Sequence, residues 1–130
     1  MAVARQTNPN LELLGALLYD VESSATVIRR NAIDDITAAL GGAAPVFNTV
    51  VRHALAPVCD SEERGLLIHE IAEQVDKSEP FWVALQQGRR PTRVAGSAPA
   101  LADDLVLLTQ EILQGIATRE NPSTATEVPA

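Results

Sequence analysis

His69 and Glu73 stand four residues apart in the run His69-Glu70-Ile71-Ala72-Glu73, which on a helix puts an imidazole and a carboxylate one turn apart. With Glu62 and Asp76 on the same face, such a cluster has the ligand types of a divalent-metal site. The order is not the His-Glu-x-x-His of zinc hydrolases, and it reverses the Glu-x-x-His unit of di-iron bundles. A solvated acidic helix face accounts for the same residues. No metal or other cofactor is therefore expected, with His69 and Glu73 the residues to watch.

His53 and Cys59 pair a base with a thiol, but six residues and Pro57 separate them. A Cys beside Val58 reads more simply as a small core residue, and no catalytic residue is assigned. Arg89, Arg90 and Arg93 put three cations within five residues of a loop, enough to hold a phosphate, a carboxylate or an acidic protein surface. Such a surface exists in the same chain: Asp60 to Glu79 holds seven acidic and two basic residues. Phe81 and Trp82 are aromatic anchors for a partner or the lid of an apolar pocket, unless they are core.

Residues 32–52 have the apolar and glycine spacing of a helix-turn-helix, through Ile36, Leu40, Gly41, Phe47 and Val50. The segment that would enter a groove, Ala43 to Thr49, carries no cation. Only Asn48 and Arg52 suit base or phosphate contacts. DNA binding stays a secondary expectation, opposed by the charge balance.

Periodicity supplies the elements that must position these groups. Asn8-Pro9 has the form of a helix cap and first residue, followed by Leu11, Leu14, Leu18, Val21, Ala25 and Ile28 at spacings of three and four. Ala32 to Leu40 continues helical to Gly41-Gly42. Pro45 opens a third candidate, with Val46, Phe47, Val50, Val51, Ala54 and Leu55 apolar; its β-branched residues also suit a strand, but i and i+4 pairing favours helix. Asp60 and Glu63 have capping-box spacing for a helix over Ser61 to Lys77, with Leu66 stranded on its charged face. A short helix spans Phe81 to Gln87, ended by Gly88, and a loop runs from Arg89 to Ser97. The last helix opens near Ser97 and Pro99; Leu101, Leu105, Leu108, Ile112 and Ile116, widened by Val106 and Leu113, cover about half its circumference, more than one neighbour needs.

The chain has 130 residues, 46% hydrophobic and 3% aromatic, with a net charge of −7. That balance opposes broad attraction to nucleic acid or anionic lipid. One cysteine permits no internal disulfide and fits a reducing cytoplasm. No apolar run approaches a spanning helix, and residues 1–8 lack the apolar stretch of a secretion signal. Nine of ten cations being Arg hints at a GC-rich bacterial genome.

These features together predict an all-α fold, a bundle of five to six helices that is dimeric. Residues 1–8 form a flexible start, 9–120 one helical domain and 121–130 a disordered tail. The function expected is noncatalytic and cytoplasmic: a helical adaptor, assembly factor or regulatory subunit. It would bind a protein partner or itself as a homodimer, through Arg89, Arg90, Arg93, Leu66 and Trp82, with a small apolar ligand as a lesser option. The alternatives are a DNA-binding regulator using residues 32–52 and a metal protein or enzyme centred on His69.

Overall fold

The computed structural model describes residues 2–91 and 94–122. Its elements in chain order are α1 (Ala2–Thr7), β1 (Ala16–Val21), α2 (Thr26–Leu40), β2 (Val46–Arg52), α3 (Leu55–Arg64), α4 (Ile68–Lys77), α5 (Phe81–Gln86) and α6 (Ala98–Glu120). The fold is therefore mixed α/β, and the expected all-α bundle is overturned by a two-stranded parallel sheet joined through α2. The tail expected to be disordered falls mostly on residues 123–130, outside the described residues.

The first correction lies at Asn8-Pro9. The Asn8 carbonyl accepts from the Leu11 amide at 3.1 Å, and the Asn8 side chain accepts from the Asn10 amide at 3.1 Å. Pro9 thus occupies the second position of a β-turn, where its fixed φ is equally welcome, and does not start a helix. Of the Leu-rich run that follows, residues 11–15 are irregular and Ala16–Val21 is β1. Leu14, Leu18 and Val21 keep spacings of four and three along the run, which are easily taken for one stripe of a helix.

The segment from Pro45 is the second correction: it is β2, so the β-branched Val46, Val50 and Val51 decide its conformation over the i, i+4 pairing. This also removes the helix-turn-helix, because the place of its recognition helix is taken by a strand paired with β1. The preceding expectation does hold in part, since Ala32 to Leu40 is the second half of α2. That helix stops at Gly41, whose φ of +54 is left-handed and whose amide donates to the Thr37 carbonyl at 3.2 Å.

The helix expected over Ser61 to Lys77 is two helices. Gly65, with φ +64, turns the chain at the end of α3; the Leu66 amide donates to the Ser61 carbonyl at 3.2 Å, and the Ser61 hydroxyl donates to the Leu66 carbonyl at 2.6 Å. Glu70 then caps α4 by accepting the Leu67 amide at 2.7 Å. Asp60 does not cap a helix; its carboxylate accepts the Ala95 amide at 3.0 Å and so ties the approach to α6 onto α3.

The sheet is irregular in a way that matters below. Ala16 pairs with Val46 and Leu18 with Val50, so β2 spends four steps where β1 spends two, and residues 47–49 bulge. Further on the excess is in β1: Tyr19 faces Val51 and Val21 faces Arg52, leaving Asp20 over, at φ +60. Gly15, just before β1, leaves room for the Phe47 ring, which would have to shift if a Cβ were placed there, 2.6 Å away. The main apolar centre is elsewhere, where Ile71 and Ala72 of α4 meet Ala98 of α6, flanked by Leu66, Val75, Val94 and Ala102.

Candidate functional site

Helix α6 runs antiparallel to β2 and presents two acids, Asp104 and Glu111, seven residues apart. Seven residues of helix and three of strand both span roughly 10 Å, so the two carboxylates match the strand. Glu111 accepts the Asn48 amide at 2.9 Å, the Thr49 amide at 2.8 Å and the Thr49 hydroxyl at 2.7 Å. Two successive amides reach one carboxylate because the bulge turns them both away from β1. Asp104 accepts the Arg52 amide at 3.1 Å and its guanidinium at 2.6 and 2.9 Å. This bidentate ion pair holds the Asp104 carboxyl below its ordinary pKa, against the opposing effect of burial, and raises that of Arg52.

At the carboxyl ends of the two strands, His53 Nδ1 lies 2.7 Å from the Asp20 carboxylate and Nε2 lies 4.0 Å from that of Glu22. The left-over residue of the β1 bulge thus aims its side chain across the sheet. The hydrogen bond and charge of Asp20, aided by Glu22, raise the His53 pKa. Beside this corner is an open cleft of about 500 Å3, lined by Ser23, Arg29, Thr49, Leu107 and the Arg52–Asp104 pair. Parallel sheets commonly bind ligands at their carboxyl ends. Here Arg52 and Asp104 satisfy one another and Glu111 is taken by Asn48 and Thr49.

A second cleft, about 450 Å3, is mostly apolar and lies between α4 and α6. Ile68 and Ala102 are half-buried in it, while Leu67, Leu105 and Val106 are 62%, 37% and 53% exposed. Farther along α6, Leu107, Leu113 and Ile116 are exposed as well. The excess apolar width read from this helix is thus real and uncovered.

The residues singled out in the sequence are scattered. Leu66 is half-buried against the Ile71 cluster, so the stranded leucine beside α4 is Leu67. Trp82 is 53% exposed, as are Phe81 at 66% and Leu85 at 58%, and these aromatics are not core. Arg89 donates to the Glu79 carboxylate at 2.8 Å and to the Gln87 amide oxygen. Arg90 is exposed and lines a cleft with Phe81, Leu85 and Pro91, whereas Arg93 lies outside the described residues. Cys59 is exposed, which corrects its reading as core, and His53 sits on the sheet with Asp20.

His69 and Glu73 are both exposed, and Glu73 pairs with Lys77 at 3.6 Å. Among the described residues no group of three or more His, Cys, Asp or Glu is placed to hold a metal ion. Sequence reasoning missed Asp20, Asp104 and Glu111. The available signal was the i, i+7 spacing of Asp104 and Glu111 in a helix that also carries Asp103 and Glu120, together with Arg52 at the end of a β-branched run. No described helix is long and apolar enough to cross a membrane. Compared with protein families, with curated proteins and with solved structures, the chain matches none.

Proposed function

We propose that this protein acts by association, receiving an amphipathic helix of a partner protein in the apolar cleft between α4 and α6. The observation that carries the reading is the exposure of Leu67, Leu105 and Val106 around a floor of Ile68 and Ala102. A cleft between two helices accepts a third helix by the same packing that joins the first two. A net charge of −7 favours a partner whose polar face is basic. An exposed free thiol at Cys59 suits a reducing cytoplasm as the setting.

The test uses a synthetic amphipathic helix of Leu and Lys residues, titrated into the full chain and followed by amide chemical shifts. Shifts should centre on Leu67, Ile68, Leu105 and Val106, and Val106→Asp should weaken binding at least tenfold. Binding that Val106→Asp leaves unchanged, or no binding, would overturn the reading.

A further inference from the structure

The two edges of the sheet are unequal. On β2, the amides of Asn48, Thr49 and Arg52 that point away from β1 are all taken by Glu111 and Asp104. Helix α6 lies along that edge and takes up these amides. On β1, the Ala16 amide donates to the Pro45 carbonyl at 2.9 Å, toward β2. Alternation along a strand then turns the Leu17 and Tyr19 amides outward. Among the described elements only β2 and α2 come near β1, so neither a strand nor a helix covers that outer edge.

The covering of the sheet by α2 is incomplete as well. Helix α2 buries none of its residues, and its Val27 and Ile28 are 66% and 71% exposed. Two strands are fewer than an independent sheet ordinarily requires, and parallel pairs occur almost only within larger, covered sheets. An open strand edge also invites pairing with another chain.

We infer that β1 pairs antiparallel with β1 of a second copy of this chain, making one four-stranded sheet in the order β2, β1, β1, β2. Leu17 exchanges hydrogen bonds with Tyr19 of the partner subunit, and Tyr19 does so with Leu17 of the partner subunit. The partner is a second copy because of closure. Both outer edges of that sheet are β2, where α6 lies alongside and Asp104 and Glu111 accept three of its amides, whereas a lone added strand would bring a new open edge with it. The stretch Ala16 to Tyr19 carries no charge, and Asp20 beyond it is engaged by His53, so two chains of charge −7 meet at a neutral seam.

Asp20 also fixes the length of that seam. Its left-handed backbone ends the regular part of β1 at Tyr19, which prevents a longer zipper and the fibres such an edge can nucleate. The pairing is thus short, and the two α2 helices lie on one face of the joined sheet, where Val27 and Ile28 have a neighbour available.

The full chain tests this by light scattering across protein concentration, combined with hydrogen exchange at single amides. A dimer of twice 13.8 kDa is expected, strengthened by added salt as the like charges are screened. The Leu17 and Tyr19 amides should exchange slowly when concentrated and quickly on dilution, while the Val51 amide keeps its protection. Leu17→Pro removes an outward amide only and should give a monomer; Leu17→Lys, which leaves the backbone intact, should weaken the dimer at least tenfold if the proline variant does not fold. A chain that stays monomeric overturns the pairing. So does a dimer in which Leu17 and Tyr19 exchange freely and which Val106→Asp dissociates, a result that would leave the α4–α6 cleft as the association site.

Discussion

Helix α6 is held at two places by different physics. Against α4 it is joined by apolar packing, with Ile71 and Ala98 wholly buried and Ala72 nearly so. Against β2 it is joined by carboxylates that accept backbone amides, with Asp104 and Glu111 as the two fastenings. Apolar packing is non-directional, so it fixes that α4 and α6 are together but tolerates small slips. The carboxylate joints are directional and set the register of α6 along the strand to the residue. The Arg52–Asp104 ion pair also makes its joint sensitive to pH and salt, which the packing of Ile71 and Ala72 against Ala98 is not.

The largest effect should come from the apolar joint. Ile71→Ala deletes a side chain with no exposed surface and should cost about 3 kcal/mol, within the usual spread for cavities. Urea unfolding checks it, and the loss should be the same at pH 5 and pH 8. A strong pH dependence in that variant would break the distinction between the joints.

Next in size is Asp104→Asn. Hydrogen bonds to a charged group contribute about 1.5–3 kcal/mol, and the partial exposure of Arg52 reduces this to about 1–2 kcal/mol. Because the folded Asp104 pKa lies below its ordinary 3.8, its contribution is complete above that value and is lost as pH falls through the lower folded one. The wild type should therefore lose stability in strong acid more steeply than Asp104→Asn. Equal acid slopes would mean that the pair does not hold α6.

The smallest effect concerns His53, whose imidazole is solvent-accessible. Its folded pKa is raised above 6.5, so any stability it lends is complete below 6.5 and lost as pH rises through the folded value. An NMR titration should place the His53 midpoint above 6.5, and Asp20→Asn should bring it down. A His53 midpoint unmoved by Asp20→Asn would show that the strand ends are not coupled through this pair.

The contrast between regions also governs what could be read from the residues. Helix α5 and helix α6 were legible, because Pro80, Gly88 and Pro99 punctuate them and their apolar spacing is local. The half of α2 from Ala32 was legible for the same reason. Strand β1 was not: Leu17, Leu18 and Val21 fit a helical stripe as well as a strand, and only the neighbour at Val50 and Val51 separates the two. Strand β2 was ambiguous at the level of residues, and its β-branching was the better guide. At Gly65 a single glycine was read through as helix, though its left-handed conformation breaks the run into α3 and α4.

The candidate sites divide along the same line. The wide apolar face of α6 is a property of one helix, so Leu105, Val106 and Leu113 announce it in the sequence. The Asp104–Arg52 and Glu111–Thr49 fastenings join residues more than fifty positions apart, and the Asp20–His53 pair spans two strands. None of these has a local signature. The sequence by itself determined the acidic charge, the single thiol, the helix stops at Gly41 and Gly88 and the surplus of apolar surface on α6, since each follows from composition or from spacing within one element. Which segments became strands, which sheet edge was capped and which was left open depended on long-range pairing of backbone amides, and only the tertiary structure could decide it.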